Sequence, residues 1–429
     1  MHKSGRYGLL GRRLGHSFSP RVHALIGDYD YSLFEKEPEQ VQDFLLAARF
    51  EGINVTMPYK KTVIPYCSGL SPEAEKIGSV NTLVKLEDGT LFGENTDYFG
   101  FSYLLAKADV SLKGKKVVIL GNGGAAATVR AYADDADAAE VVNVFRSGND
   151  NFENIERHHD AQIIVNTTPV GMYPHNGESL IDLRGFKSCE AVIDLVSNPL
   201  KTELILQAED LNLICIGGLY MLTAQAVAAR ALWENAGDTH GRSICQADGG
   251  RENDQVPHTR IDAVTELVLR EVRNIALIGM PGCGKTSVGQ CLAQQTGRDF
   301  YDVDELIVRR TGQSVETIFE VEGEDAFRDM ETNILDDVSK KSGCIIATGG
   351  GVVKREANNR LLRQNSMVIF IDRDAADLPL SGRPLSMSQG IGSLYEERLP
   401  LYESWSDVKI PAGESVQGTA LAVKERLNI

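Results

Sequence analysis

Short apolar runs bounded by turn residues recur along this chain, and apolar residues at helical spacing lie between them. The runs 117–120, 141–145, 163–166, 192–194 and 213–216 predict strands. Their alternation with helical stretches predicts a parallel α/β sheet. The same grammar returns after residue 273, with strands expected at 275–278, 345–347 and 368–371. Ile261, Val264, Leu267, Val268 and Val272 repeat at helical spacing and predict a helix that closes the first half or bridges to the second. Residues 237–258, GDTHGRSICQADGGRENDQVPH, show no periodicity and read as a long loop or linker. No short-period repeat is present.

These patterns place a main boundary near residue 273. A second division near Lys113-Gly114-Lys115-Lys116 splits the first half. Length agrees, because 429 residues make about three compact units. With 42% hydrophobic and 24% charged residues the chain is neither disordered, collagenous nor membrane-embedded. Its net charge of −16 argues against nucleic acid and anionic lipid as partners, leaving small molecules. Anionic ligands then need local basic pockets. Seven scattered cysteines without a CxxC pair signal neither a zinc site nor a redox dithiol. No apolar segment follows the first six residues, so a cytoplasmic location is expected.

Two glycine loops carry chemistry. Strand 117–120 enters Gly121-Asn122-Gly123-Gly124-Ala125-Ala126, a G-x-G-x-x-A turn opening a helix. Its first glycine allows the tight turn, the second admits a pyrophosphate, and the small third residue lets helix pack on strand. Strand 141–145 ends in Phe145-Arg146-Ser147. No carboxylate stands at this tip to bind a ribose hydroxyl, and Arg146 is placed for a 2′-phosphate, so NADP(H) is the expected cofactor. The second loop, Gly279-Met280-Pro281-Gly282-Cys283-Gly284-Lys285-Thr286, is a full P-loop. It predicts a nucleoside triphosphate, with Lys285 on the phosphates and Thr286 on Mg²⁺.

Residues 7 to about 233 resemble shikimate dehydrogenase. The motifs are GHSFSP (15–20), NVTMPYK (54–60), SVNT (79–82), GENTD (93–97), GNGGAA (121–126), NTTPVGM (166–172) and GGLYMLTAQA (217–226). The resemblance implies a catalytic pair, Lys60 and Asp97, and substrate-carboxylate contacts from Ser17 and Ser19. It also implies that Asn54, Thr56, Asn81 and Gln225 hold ring hydroxyls or position the lysine. Gly121 to Ala126, Arg146, Ser147 and Gly218 would bind NADP(H). One departure is Ser197, where the family's D-x-V-Y-N-P segment has tyrosine. It leaves quinate open as a substrate. The other is the stretch 237–258, expected as an insertion before the last helix of the dehydrogenase.

Residues 274 to about 405 resemble shikimate kinase. The motifs beyond the P-loop are Asp302-Val303-Asp304, Phe327-Arg328, Gly349-Gly350-Gly351, Arg383-Pro384-Leu385 and Glu397-Arg398. The resemblance implies that Gly282 to Ser287 bind ATP and that Thr286 and Asp302 hold Mg²⁺. Asp304 would take substrate hydroxyls, Arg328 and Arg398 the substrate carboxylate, and Gly350 and Gly351 would line the pocket. Arg383 would act from a lid, which is short here. The strand ending at Thr348 lacks a terminal aspartate for the metal.

The expected architecture is therefore α/β throughout. It has a substrate domain (1–106, with 224–272 returning to it), a Rossmann-type NADP domain (107–223) and a P-loop kinase domain with a parallel sheet (273–429). The expected function is a bifunctional enzyme that makes shikimate from 3-dehydroshikimate and then phosphorylates it. Alternatives are a chain with one active domain, or a metabolite sensor that keeps these folds without catalysis. Oligomeric state is not expected to be legible.

Overall fold

The computed structural model describes residues 7–15, 17–236, 256–378 and 391–429. It divides into two compact units. The first comprises residues 1–172, 178–198 and 207–268; the second comprises 173–177, 199–206 and 269–429.

The first unit holds two sheets. The first hundred residues form β1 (Tyr7–Gly11), β2 (Tyr31–Glu35), β3 (Gly52–Val55), β4 (Gly69–Leu70), β5 (Thr82–Lys85) and β6 (Leu91–Glu94). They order as β2-β1-β3-β5-β6-β4 in a mixed sheet. Strand β5 runs antiparallel to both β3 and β6, while β1 pairs in parallel with β2 and β3, and β4 with β6. The helices are α1 (Ser19–Ile26), α2 (Pro38–Ala47), α3 (Pro72–Ile77) and α4 (Thr96–Lys107). Ser71 caps α3 by accepting from the N–H of Ala74, and Asn95 caps α4 by accepting from that of Tyr98. The core on this sheet gathers Leu10, Val41, Leu45, Phe50, Ile53, Val63 and Leu83.

The second sheet has β7 (Lys116–Leu120), β8 (Glu140–Val144), β9 (Ile163–Asn166), β10 (Ala191–Asp194) and β11 (Ile214–Gly217). All pair in parallel, in the order β11-β10-β9-β7-β8. Every one of these strands lies within a residue of its expected place. The helices are α5 (Gly124–Asp135), α6 (Glu203–Asp210) and α7 (Leu219–Glu234). The order reverses between β7 and β9, so the turns after these two strands flank a crevice of the kind that binds nucleotides.

Helix α8 (His258–Val272) is the helix expected after the linker. The Thr265 and Thr223 hydroxyls bond each other at 2.5 Å, and Asp262 accepts from the Tyr103 hydroxyl and Lys107, both at 2.6 Å. Residues 258–268 of α8 thus pack on α7 and α4 in the first unit, while 269–272 belong to the second. The linker itself falls, but for its last three residues, outside the described residues.

The second unit is built on β12 (Asn274–Ile278), β13 (Phe300–Asp302), β14 (Ile345–Ala347), β15 (Ser366–Asp372) and β16 (Val408–Pro411). Their order is β13-β14-β12-β15-β16, all parallel. Around them run α9 (Lys285–Thr296), α10 (Val303–Thr311), α11 (Val315–Val321), α12 (Gly323–Ser339), α13 (Glu356–Asn365) and the helices Ile391–Trp405 and Val416–Leu427. Strands β13 and β16 were not expected from the pattern; both are short and lie at the sheet edges. The P-loop leaves the central strand β12, which is buried along its whole length.

Trp233 anchors the first unit. Its ring stacks on Tyr7 at 5.0 Å, and its indole N–H donates to the Leu83 carbonyl at 3.1 Å. It thereby ties α7 to β1 and β5. Trp233→Ala is expected to destabilise this unit by about 3–5 kcal/mol, the usual cost of emptying a buried aromatic site. Urea denaturation followed by circular dichroism measures it; a loss below about 1 kcal/mol would show that α7 is held by other contacts.

Candidate functional site

In the first unit, Lys60 and Asp97 form an ion pair with Nζ to Oδ2 at 2.6 Å, each side chain mostly covered. Two chain segments produce it. Lys60 lies in the turn after β3, and its carbonyl accepts from the N–H of Val80 at 2.9 Å. Asp97 occupies the first turn of α4. That helix start is fixed by buried polar groups. Asn81 Oδ1 accepts from the N–H of Thr96 at 2.7 Å, and Asn95 Nδ2 donates to the Ser79 carbonyl at 2.8 Å. A Cβ on Gly124 would lie 3.8 Å from Ser79 Oγ and 4.0 Å from Lys60 Cδ, so the glycine loop lies beside the lysine.

The other expected substrate residues fall into two groups. Ser17 and Thr56 are partly exposed, Asn81 and Gln225 are largely buried, and all lie in the same unit. Gln225 donates to the Leu222 carbonyl on its own helix at 2.8 Å. Asn54 and Ser19 are engaged internally. Asn54 Oδ1 accepts from the Tyr31 hydroxyl at 2.9 Å and faces His23 Nε2 at 3.1 Å, while its Nδ2 donates to Thr82 at 3.1 Å. Ser19 bonds the Tyr31 hydroxyl. These bonds fix the Asn54 side chain at the end of β3. Burial drives the His23 pKa down to about 3. The ring is thus neutral, donating from Nε2 to Asn54 and accepting at Nδ1 from Tyr29.

The dinucleotide loop fits its expected ligand. Gly121 has φ +120°, and a Cβ there would meet Thr167 Oγ1 at 2.6 Å, so only glycine fits. Nothing lies within 4 Å of a Cβ on Gly123, which leaves the backbone open for a pyrophosphate. Asn122 is exposed, Ala125 half-buried, and Ala126 is buried against the sheet. Arg146 and Ser147 are exposed just past β8. Gly218 is pressed against Leu195, whose carbonyl oxygen would be 2.2 Å from a Cβ. It lets α7 start close to β10. Ser197 follows β10 and is half-buried.

In the second unit, one cavity of about 450 Å³ collects most of the expected kinase residues. Gly282, Gly284, Lys285, Thr286, Ser287, Asp304, Arg328, Gly350, Gly351 and Arg398 line it. Cys283 is buried just beneath, with Sγ 3.8 Å from Lys285 Nζ. Lys285 donates to the carbonyls of Gly279 and Met280, each at 2.9 Å. The Thr286 hydroxyl donates to Asp302 Oδ2 at 2.6 Å, which pairs two hard oxygen donors at the cavity's edge and fits Mg²⁺. Thr348 adds no ligand, since its hydroxyl donates to the Leu277 carbonyl at 3.0 Å. Among the described residues no cluster of three or more His, Cys, Asp or Glu forms a metal site. Arg383 lies outside the described residues.

Two arginines are held in place by their surroundings. Arg328 donates to Glu331 at 2.8 Å and to Glu324 at 3.3 Å. Arg398, almost wholly buried, donates to the Gly350 carbonyl at 2.9 Å, while its Nε and Nη2 are buried without partners. A buried guanidinium with two unpaired donors is suited to an anion. Asp304 Oδ1 is likewise buried without a partner, and burial together with Glu331 pushes this carboxyl up to about 7.

The comparisons agree with this arrangement. Residues 9–83 match the model of the shikimate dehydrogenase substrate binding domain, and residues 281–428 match that of shikimate kinase. The shikimate dehydrogenase (NADP(+)) of Clostridium perfringens is 35% identical over 248 residues, covering 53% of this chain and 91% of that protein. The chain belongs to the shikimate dehydrogenase family. It continues into a shikimate kinase domain, so two enzymes of one pathway share the polypeptide. A chorismate mutase/shikimate 5-dehydrogenase fusion from Clostridium acetobutylicum superposes with TM-score 0.55 and 32% identity, over 62% of this chain and 97% of that one. The Thermus thermophilus shikimate 5-dehydrogenase, solved with NADP(H) and shikimate, gives TM-score 0.51 and 29% identity over 61% and 98%. Among the described residues no helix is long and apolar enough to cross a membrane.

The dehydrogenase half also shows a group that the motifs passed over. Glu94, inside GENTD, is buried beneath the start of α4. Its Oε1 accepts from the Ser71 hydroxyl and from the N–H of Asn95, and Oε2 has no partner. Burial raises its pKa to about 7. Between the ordinary carboxyl range and about pH 7 the folded chain keeps a proton that the unfolded chain has lost. Stability therefore falls as pH rises through this window. Glu94→Gln keeps the acceptor and ends the titration. The variant is expected to be more stable than the parent at pH 8, by roughly 1–3 kcal/mol, with the gain vanishing near pH 5. Denaturation at the two pH values checks it; an equal difference at both would contradict the assignment.

Proposed function

We propose that the first unit reduces 3-dehydroshikimate to shikimate with NADPH and that the second phosphorylates shikimate at its 3-hydroxyl with ATP and Mg²⁺. The convergence of motif residues from distant segments carries this reading: Lys60 and Asp97 meet 37 residues apart, beside the dinucleotide loop. We further assign residues 1–106 with 224–272 to substrate, 107–223 to NADP, and 273–429 to the kinase.

Bound NADPH supplies the hydride. The chain's own part is to manage the charge that develops on the C3 oxygen. Lys60 stabilises that oxygen and donates a proton to it, and Asp97 fixes the lysine and favours its charged form. Ser17 and Ser19 face the substrate carboxylate, and Thr56, Asn81 and Gln225 its hydroxyls. Asn54 holds the sheet-end network in place. Arg146 and Ser147 take the 2′-phosphate.

In the kinase, Lys285 reaches the phosphates with the N–H groups of Gly282 to Ser287, and Thr286 and Asp302 hold Mg²⁺. Arg328 and Arg398 bind the carboxylate, Asp304 accepts from the attacking hydroxyl, and Gly350 and Gly351 shape the floor. Arg383 is assigned to the lid on its motif alone. Positioning and charge neutralisation carry phosphoryl transfer, which suits a cavity whose cations are already oriented.

Lys60→Ala is expected to lower dehydrogenation roughly 10³-fold and leave phosphorylation intact; Lys285→Ala is expected to do the reverse. Supplying 3-dehydroshikimate, NADPH, ATP and Mg²⁺ should yield shikimate 3-phosphate with the parent and with neither variant. Loss of both activities in either variant would overturn the two-site reading. A second test uses Gly351, where a Cβ would lie 2.0 Å from Arg328 Nη2. Gly351→Ala is expected to raise the kinase KM for shikimate about tenfold with ATP binding unchanged. An unaltered KM would remove Arg328 from the substrate site.

A further inference from the structure

The turn after β8 holds an acid as well as a base. The N–H of Phe145 donates to the Asp150 carbonyl at 3.2 Å, and that of Gly148 to the Phe145 carbonyl at 3.0 Å. The loop thus doubles back, and Asp150 returns to the strand tip one residue from Arg146. A carboxylate at this position of a dinucleotide fold selects a ribose hydroxyl and repels a 2′-phosphate. It is also a natural partner for a neighbouring guanidinium. Yet Arg146 is exposed and makes no hydrogen bond or ion pair among the described residues. The reason lies eight residues on. His158 Nε2 bonds Asp150 Oδ1 at 2.9 Å. His158 is 7% exposed, is carried by the helical turn Ile155–His158, and has a buried Nδ1 without a partner. With its one bonded nitrogen on Asp150, the ring acts as a clasp for the carboxylate.

We propose that His158 is a specificity-determining positioning residue. By holding Asp150 aside it keeps Arg146 unpaired for the 2′-phosphate, and so sets the preference for NADPH over NADH. This rests on the reading of Arg146 as the phosphate contact. Released from His158, Asp150 would pair with Arg146 and present a carboxylate to the ribose, which weakens NADPH binding and spares NADH. On this reading the histidine acts only through Asp150, so turnover at saturation does not depend on it.

Three variants of the full chain test this by steady-state kinetics with both cofactors. His158→Leu fills the site and removes the bond; it is expected to raise the KM for NADPH about 5–10-fold. Its kcat and its KM for 3-dehydroshikimate should stay at parental values, which also reports an intact unit. His158→Gln, which can still donate to Asp150, is expected to stay within about twofold of the parent. Asp150→Asn combined with His158→Leu is expected to restore the NADPH KM, because no carboxylate remains to compete. An unchanged NADPH KM in His158→Leu would overturn the proposal, and so would a raised KM that persists in the double variant. A parent enzyme that prefers NADH would instead refute the 2′-phosphate reading itself, before any variant is made.

Discussion

A buried polar junction at the start of α4 holds the dehydrogenase site together. Asn81 on one side and the N–H of Thr96 on the other share a 2.7 Å hydrogen bond. Through it, the turn that presents Lys60 and the helix that presents Asp97 keep one relative placement. Glu94, Asn95 and Ser71 complete the junction, and each of their bonds is made away from water, where an unmade bond is expensive. The geometry of the Lys60–Asp97 pair is inherited from this knot of ordinary hydrogen bonds. The lysine needs no strong field of its own, because the backbone that carries it has nowhere else to go.

The kinase unit reaches the same end by close backbone approach. The Gly349–Gly351 turn has its neighbours where side chains would otherwise be. A Cβ on Gly350 would meet Pro281 of the P-loop at 2.5 Å, and one on Gly349 would meet Glu331 Oε1 at 2.5 Å and Asp304 Oδ1 at 2.8 Å. Three bare residues therefore let the P-loop, Asp304 and Arg328 crowd one cavity. In a chain of net charge −16, this cavity still gathers Lys285, Arg328 and Arg398.

Much of this was legible in the sequence. Buried parallel strands are continuous apolar runs, so β7, β9, β12 and β14 declare themselves, and glycine loops are read directly because their physics is local. The mixed sheet of the first hundred residues is quieter. Its strands are short, and β2 has a half-exposed face with little alternation to read. Edge strands β13 and β16 escape for the same reason. In the site, the motifs bring in the residues expected to touch ligand but not those that hold them. Nothing in the motif around Asn54 tells of its bonds to His23, Tyr31 and Thr82, and nothing in the spacing of Asp150 and His158 tells of theirs. Long-range polar pairing leaves no periodicity behind.

The tryptophans carry a practical consequence. The chain has two, and they fall one to each unit: Trp233 on α7 in the first, and Trp405 at the end of the helix Ile391–Trp405 in the second. Both rings are almost fully enclosed, at 5% and 7% exposure. Each half of the polypeptide thus contains its own single tryptophan. Replacing either by phenylalanine turns the tryptophan emission of the intact chain, excited where tyrosine does not absorb, into a readout of the other half alone. Ligand titrations and melting can then be followed enzyme by enzyme without cutting the fusion apart.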